Sequence, residues 1–328
     1  MGFLKNLSDT EKTAAIQALG DERRQQLIRG TYHGANVAGM DLDEAMHLTG
    51  ADFTVRKETI QTTSGELIGS HVAGVNASTG KPLSVVGAGF GFVDHSQAIA
   101  PIRPILDRGD AYLQAIDMRD EGARFEAYAT LGFSQVERAG LDRADALCHT
   151  LRVSNAHDGS SQLTLGVSIR RLICDNGMGF NELAVQERTR HSSKVQERMP
   201  DFGSSVLEAL TAAESATETF QALADSAMAS AEFVEFANAL LIAERGEVKT
   251  ERGERRRESD LTDLLGLFES GAGNLGQDRY DALNAVTEWL TPRREAYADA
   301  SKYARAYYTN ETGTRARTRS RALRMLTA

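Results

Sequence analysis

ALCHTLRVSNAHDGSSQLTLGVSIRRLIC, residues 146–174, decides the fold class of this 328-residue chain. Two runs of alternating and β-branched residues flank His157-Asp158-Gly159-Ser160, a short polar tetrapeptide of the kind that reverses a hairpin. In the second run alternation places Leu163, Leu165, Val167, Ile169 and Arg171 on one face. Gln162, Thr164, Gly166, Ser168, Arg170 and Leu172 fall on the other. Upstream, AYLQAIDM (111–118) and ARFEAYATLGF (123–133) are joined by Asp120-Glu121-Gly122 and read as another hairpin. Four consecutive strands joined by turns make an antiparallel meander.

Before the meander, FTVRKETI (53–60) and LIGSHVAGVN (67–76) read as a hairpin with Ser64-Gly65 at its tip, followed by LSVVG (83–87). Gly87-Ala88-Gly89 begins like a dinucleotide fingerprint, but Phe92 stands where G-x-G-x-x-G needs its third glycine. These glycines instead let a strand bend into a helix capped by Asp94, with Gln97 at capping-box spacing and Pro101 and Pro104 breaking it into turns. Ser8 and Glu11 open an N-terminal helical pattern, and 41–48 reads as a short helix. Beyond Asn176-Gly177 the Ala-, Leu- and Glu-rich segments 181–198, 203–227, 230–245, 259–270, 279–290 and 295–308 have helical spacing, with Ser230 as a cap. GEVKTERGERRRE (246–258) lacks an apolar face and reads as a solvated connection. The expected fold class is α+β: an antiparallel β-meander with flanking helices and a largely helical C-terminal half. The expected organisation is a helical segment over 1–50, a sheet core over 51–180, and a helical region over 181–328 with a basic end.

The composition, 41% hydrophobic and 25% charged, excludes a wholly disordered chain. No apolar run approaches the roughly 18 residues that span a membrane, and the first twenty residues do not read as a signal peptide. Two cysteines, Cys148 and Cys174, fit a reducing compartment, so a cytoplasmic location is expected. The formal net charge is -9, but it is unevenly placed. Residues 293–328 hold nine cations against three anions, a local +6, which leaves -15 on the rest. An acidic body with a basic end suits a phosphate-bearing partner or an acidic protein face.

The densest chemical run is Ser154 to Ser161, with Asn155, His157, Asp158 and Ser160 in one turn. His157-Asp158 is weighed as a metal-binding pair, but such sites take further His and Asp from helices, and no metal or cofactor is expected. Neither Ser160 nor Cys174 has a nucleophile elbow around it, so no catalytic residue is assigned. Arg152, Arg170, Arg171, Arg188 and Arg190 are candidates to line a groove that holds phosphates through guanidinium forks. Arg315, Arg317, Arg319 and Arg321 alternate, which disperses them around a helix and aligns them on an extended arm. Against these stands the plainer reading of salt-bridged or solvated arginines and a turn satisfied by its own side chains.

LSVVGAGFGFVDHSQAI (83–99), the pair of strands around Asp120-Glu121-Gly122, SNAHDGSSQLTLGVSIRRLICDNGM (154–178) and YDALNAVTEWL (280–290) together resemble the DUF932 family, phage- and plasmid-like proteins of mobile elements. The resemblance covers roughly residues 31–328 and implies a bacterial host carrying a phage or plasmid. The layout is also similar to the sheet-plus-helix core of Rad52-like and RecT-like single-strand annealing proteins. Together these imply a homo-oligomeric DNA-binding protein of recombination or replication, with single-stranded DNA as partner and double-stranded DNA as a variant. The competing expectation is a factor that binds a host or phage protein, for example against a defence system; a metal-dependent nuclease or hydrolase built on His157 and Asp158 ranks third.

Overall fold

The computed structural model describes residues 35–138, 145–171, 186–291 and 314–328. The elements run in the order β1 (Ala35–Asn36), α1 (Leu42–Leu48), β2 (Val55–Gln61), β3 (Leu67–Asn76), β4 (Pro82–Gly87), α2 (His95–Ile99) and α3 (Arg103–Asp107). Then come β5 (Tyr112–Arg119), β6 (Arg124–Val136), β7 (Asp145–Ala156), β8 (Leu163–Arg171) and β9 (Gln186–Thr189). The second half is α4 (Val195–Ala224), α5 (Ser230–Arg245), α6 (Glu251–Ser270), α7 (Arg279–Leu290) and α8 (Thr314–Thr327). The fold is α+β, with antiparallel sheets followed by helices. Among the described residues, no helix is long and apolar enough to cross a membrane.

Strands β1-β5-β6-β7-β8-β9 form one antiparallel sheet and β2-β3-β4 a second. The meander is the centre of the large sheet. Val153 pairs with Ala127 and Leu165, so the odd residues of β7 and β8 share a face. At its centre that face is apolar and covered. Leu151, Val153, Leu165 and Val167 pack with Ile99 and Ile102 in one core cluster. At the far end Val136, Leu147 and Ile169 join a second cluster with Phe220, Phe233 and Phe268 of the helices. Period-two alternation therefore drives the sheet onto the helical layer, since burying one such aliphatic or aromatic side chain contributes about 1.5–3 kcal/mol.

The opposite face carries Glu126, Tyr128, Thr130, Thr150, Arg152 and Ser168, all buried. Burial of so many polar groups requires internal pairing, and at the centre they pair as ions. An arginine also joins the layers. Arg138, at the end of β6, has a fully buried side chain and bridges Asp278 (3.0 Å) and Asp281 of α7 and its cap, with Asp145 of β7 at 3.6 Å.

Four expectations are corrected by the structure. Residues 186–189 within the expected helix 181–198 are an edge strand, paired from Leu163↔Thr189 to Gly166↔Gln186. Residues 251–258 are not a loop: Thr250 caps Gly253 N at 3.2 Å and the charged run forms the exposed first turns of α6, whose Leu264 and Phe268 are buried. Lacking an apolar face of its own, the run extends a helix anchored further on. The basic terminal stretch is helical, so its arginines are dispersed rather than aligned on an extended arm. Ser230 is the first residue of α5 and not its cap. The N-terminal pattern around Ser8, the strand end at Leu172–Cys174 and the segment 295–308 lie outside the described residues.

The β5–β6 turn stores strain. Asp120 and Glu121 both have positive φ (52° and 56°), where a side chain costs about 1–2 kcal/mol. Ion pairs from Arg124 to Asp120 (3.2 Å) and Lys81 to Glu121 (3.1 Å) hold them, but both are exposed and worth little. Glu121→Gly is therefore expected to raise stability by about 0.5–1 kcal/mol, read as a higher urea midpoint. An unchanged or lower midpoint contradicts the strain.

Candidate functional site

The seam between the two sheets is built by the turn after β7. His157 N donates to Ala123 O at 2.7 Å, and the Ser84 hydroxyl of β4 donates to His157 O at 2.7 Å. Asp158 accepts from Ser160 N (2.9 Å) and from Arg124 Nε (2.7 Å), so each of its oxygens is committed. Burial alone would raise the Asp158 pKa; the hydrogen bonds from Ser160 and Arg124 outweigh it and hold the carboxyl low. Gly159, at φ +72°, gives the turn the left-handed residue it needs.

Asn155 fixes the start of α2. Its side-chain NH2 donates to Val93 O (2.8 Å) and to His95 Nδ1 (3.0 Å), which leaves His95 Nε2–H to donate to Gly122 O at 2.9 Å. The expected cap is in place: Asp94 N donates to Gln97 Oε1 (3.1 Å), while Asp94 Oδ1 accepts from Val55 N of β2 at 2.8 Å. The His157 ring is fully buried, 4.2 Å from His95 and within about 6 Å of Phe53 and Phe92 between ring centroids. Neither of its nitrogens has a hydrogen-bond partner among the described residues. Burial first, then the neighbouring histidines, push its pKa down to about 2, and burial pushes His95 down to about 4.

That environment does not suit the metal reading. Asp158 is fully used, both nitrogens of His95 are hydrogen-bonded, and no group of three or more potential ligands converges among the described residues. Asn155, His157, Asp158 and Ser160 tie the small sheet to the large one.

Further along, the end of β4 meets the end of β9. Phe90 forms an isolated antiparallel bridge with Ser192, and the Phe90 and His191 rings stack at 4.8 Å and 14°. His191 Nδ1 lies 3.2 Å from Gly91 O, and Gly91 has no room for a Cβ against the Ser192 backbone. Gln196 of α4 reaches Phe92 O (3.4 Å) and Gln97 (3.3 Å), locking the helix start to the same place.

The arginines expected to line one groove are distributed differently. Arg152 is not open to a groove: its side chain is 7% exposed, and it pairs with buried Glu126. Glu126 also accepts from Tyr128 Oη (2.5 Å) and meets Arg119 (3.1 Å), which in turn bridges to Asp117 (2.9 Å). Burial works against the Glu126 charge, but the two guanidiniums win and lower its pKa, whereas burial leaves Asp117 raised. Arg170 and Arg171 occupy the register positions opposite Cys148 and Leu147. Arg188 lies opposite Thr164 on β9 and is exposed, as is Arg190 just beyond the strand. On α8, Arg319 is 1% exposed and Arg321 pairs with Glu244 of α5 at 3.0 Å, while Arg317 is exposed and Arg315 half-buried. Lys194 and Arg198, exposed at the start of α4, complete a basic edge with Arg188 and Arg190 that the sequence reading missed. Its signal was a cation at every second to fourth position of QERTRHSSKVQER (186–198).

A family model described as a domain of unknown function (DUF932) matches residues 82–326. The chain belongs to the DUF932 family. The matched span opens at β4 and runs through the seam, the large sheet and the helices to α8, so the DUF932 region contains the 155–160 turn and the basic edge. No curated protein and no solved structure gave a match.

The buried histidines make stability depend on pH. His95 and His157 bind protons less readily folded than unfolded, where the pKa is about 6.5. Their neutral-form stabilisation is complete above about pH 6.5 and is lost as pH falls from there through about 4. The urea midpoint is expected to fall across that window, and His157→Phe, which suits the aromatic surroundings, to reduce the slope. A midpoint constant from pH 7 to 4.5 contradicts the burial.

Proposed function

We propose that this DUF932 protein is a phage or mobile-element DNA-binding protein of recombination or replication, which holds single-stranded DNA by its backbone and works as a homo-oligomer. The observation that carries the reading is the basic edge formed by β9 and the first turn of α4. Arg188, Arg190, Lys194 and Arg198 are exposed within eleven residues, where Glu197 is the only carboxylate, with Glu187 just before them. Arg190, Lys194 and Arg198 have no ion-pair partner among the described residues, unlike Arg152 and Arg321. A cation kept out of salt bridges on an acidic protein is available to an external anion. Backbone groups of an edge strand and a helix start add donors suited to phosphate. Local binding of this kind fits a net charge of -9, because contacts are confined to the edge.

If each of the four cations meets one phosphate, single-strand affinity falls about 50-fold between 50 and 200 mM salt. Fluorescence anisotropy with labelled single- and double-stranded oligonucleotides across that series checks the dependence, and light scattering on the same samples reads assembly. The triple variant Arg190→Ala, Lys194→Ala and Arg198→Ala, at exposed positions, is expected to bind at least tenfold more weakly at low salt with an unchanged unfolding midpoint. Absent or salt-independent binding by the wild type sinks the proposal, as does a triple variant that binds undiminished.

A further inference from the structure

We propose that the seam beside the basic edge carries a base-stacking platform, with His191 backed by Phe90, which takes an unpaired nucleobase of single-stranded nucleic acid. The inference rests on the DNA-binding reading and deepens it: charge alone holds any phosphate chain, whereas a stacked ring selects strands whose bases are free.

Three observations converge on this place. First, Phe90 and His191 are half-buried, not sealed in the core, and they stack nearly parallel, while Phe92 stands behind Phe90 at 5.0 Å and 59°. Phe92 is tilted against Phe90, and His191 keeps part of its ring exposed although its Nε2 is buried, so the proposed base joins the stack at the exposed part of His191. The imidazole is held for this purpose by Gly91 O at its Nδ1 and by the backbone pairing of Phe90 with Ser192. Second, the chain leading into Phe90 is an open shelf. Gly87, Ala88 and Gly89 are exposed, no atom lies within 4 Å of where a Cβ would stand on either glycine, and Phe90 N closes the turn on Gly87 O at 2.9 Å. A shelf whose only side chain is the Ala88 methyl permits close approach of a nucleic-acid strand. Third, the cations frame the shelf and the stack. Arg190 precedes His191 directly, Lys194 and Arg198 follow on α4, and on the other side Lys57 Nζ is held at the shelf by Ala88 O at 3.0 Å. Aromatic faces flanked by a cationic track are what sequence-tolerant single-strand binding uses.

Paired bases are stacked inside a duplex and cannot reach such a platform, so single strands are the favoured partner. DNA and RNA share the stacking chemistry, and the test separates them.

The experiment compares, with the wild-type chain at fixed low salt, an oligothymidylate, an equal-length strand lacking bases, an oligouridylate and a duplex. Stacking of one base strengthens binding by about 5- to 150-fold, so the oligothymidylate is expected to bind at least fivefold tighter than the abasic strand. The tighter of the thymidylate and uridylate strands identifies the nucleic acid. Phe90→Leu is expected to abolish the preference for bases while keeping the abasic affinity, and Phe90→Tyr to retain the preference. Equal affinity for the thymidylate and abasic strands, with steep salt dependence intact, overturns the platform and leaves the DNA-binding reading standing. No binding to any strand overturns both. If Phe90→Leu fails to fold, the wild-type comparison decides alone.

Discussion

The side-chain amide of Asn155 and the buried ring of His157 hold the molecule's two sheets in one arrangement. Asn155 spends its two N–H bonds on Val93 O and His95, and His157 fills the aromatic space between Phe53, Phe92 and His95. Around them, backbone and side-chain bonds from Ser84, Ala123, Arg124 and Val55 converge from β4, β6 and β2. That junction brings the Gly87–Phe90 turn toward Ser192, where the Phe90–Ser192 bridge, His191 and Gln196 complete the attachment. The unpartnered nitrogens of His157 show the cost: a buried polar ring is retained where an apolar one would fit.

The large sheet keeps much of its charge closed to an outside ligand. One face of β7 and β8 is apolar and meets the helices, and the other is polar but closed, with Glu126 and Arg152 compensating each other inside. A buried ion pair is poor at recognising an external phosphate because both partners are already desolvated and paired. The cations left for a ligand are those on edges and helix starts, outside the sheet face.

Much of the architecture was legible in the residues. Alternation in Leu163, Leu165, Val167 and Ile169 specifies β8 and its buried face, and the two turns Asp120–Gly122 and His157–Ser160 fix where the meander reverses. Asp94 and Gln97 likewise announce the start of α2. What escaped was set by tertiary context. The strand 186–189 is short and charged, and it is extended because β8 offers a free edge, not because its own residues demand it. The helix through 251–258 is imposed by the apolar residues that follow it. Within the candidate site, the turn motif was visible as a cluster but its partners His95, Phe53 and Arg124 are distant in sequence, and Arg152 offers no sequence signal that Glu126 faces it. The Phe90–His191 stack joins residues a hundred positions apart and has no local signature.

On the proposed reading, single-stranded nucleic acid lies across the seam between the sheets, its bases at His191 and its phosphates along the basic edge. Ultraviolet cross-linking of the wild-type protein to an oligothymidylate, with the attached peptides identified by mass spectrometry, tests it most directly. Cross-links are expected on peptides containing Phe90 or His191. Cross-links confined to other peptides, with both of these unmodified, contradict it.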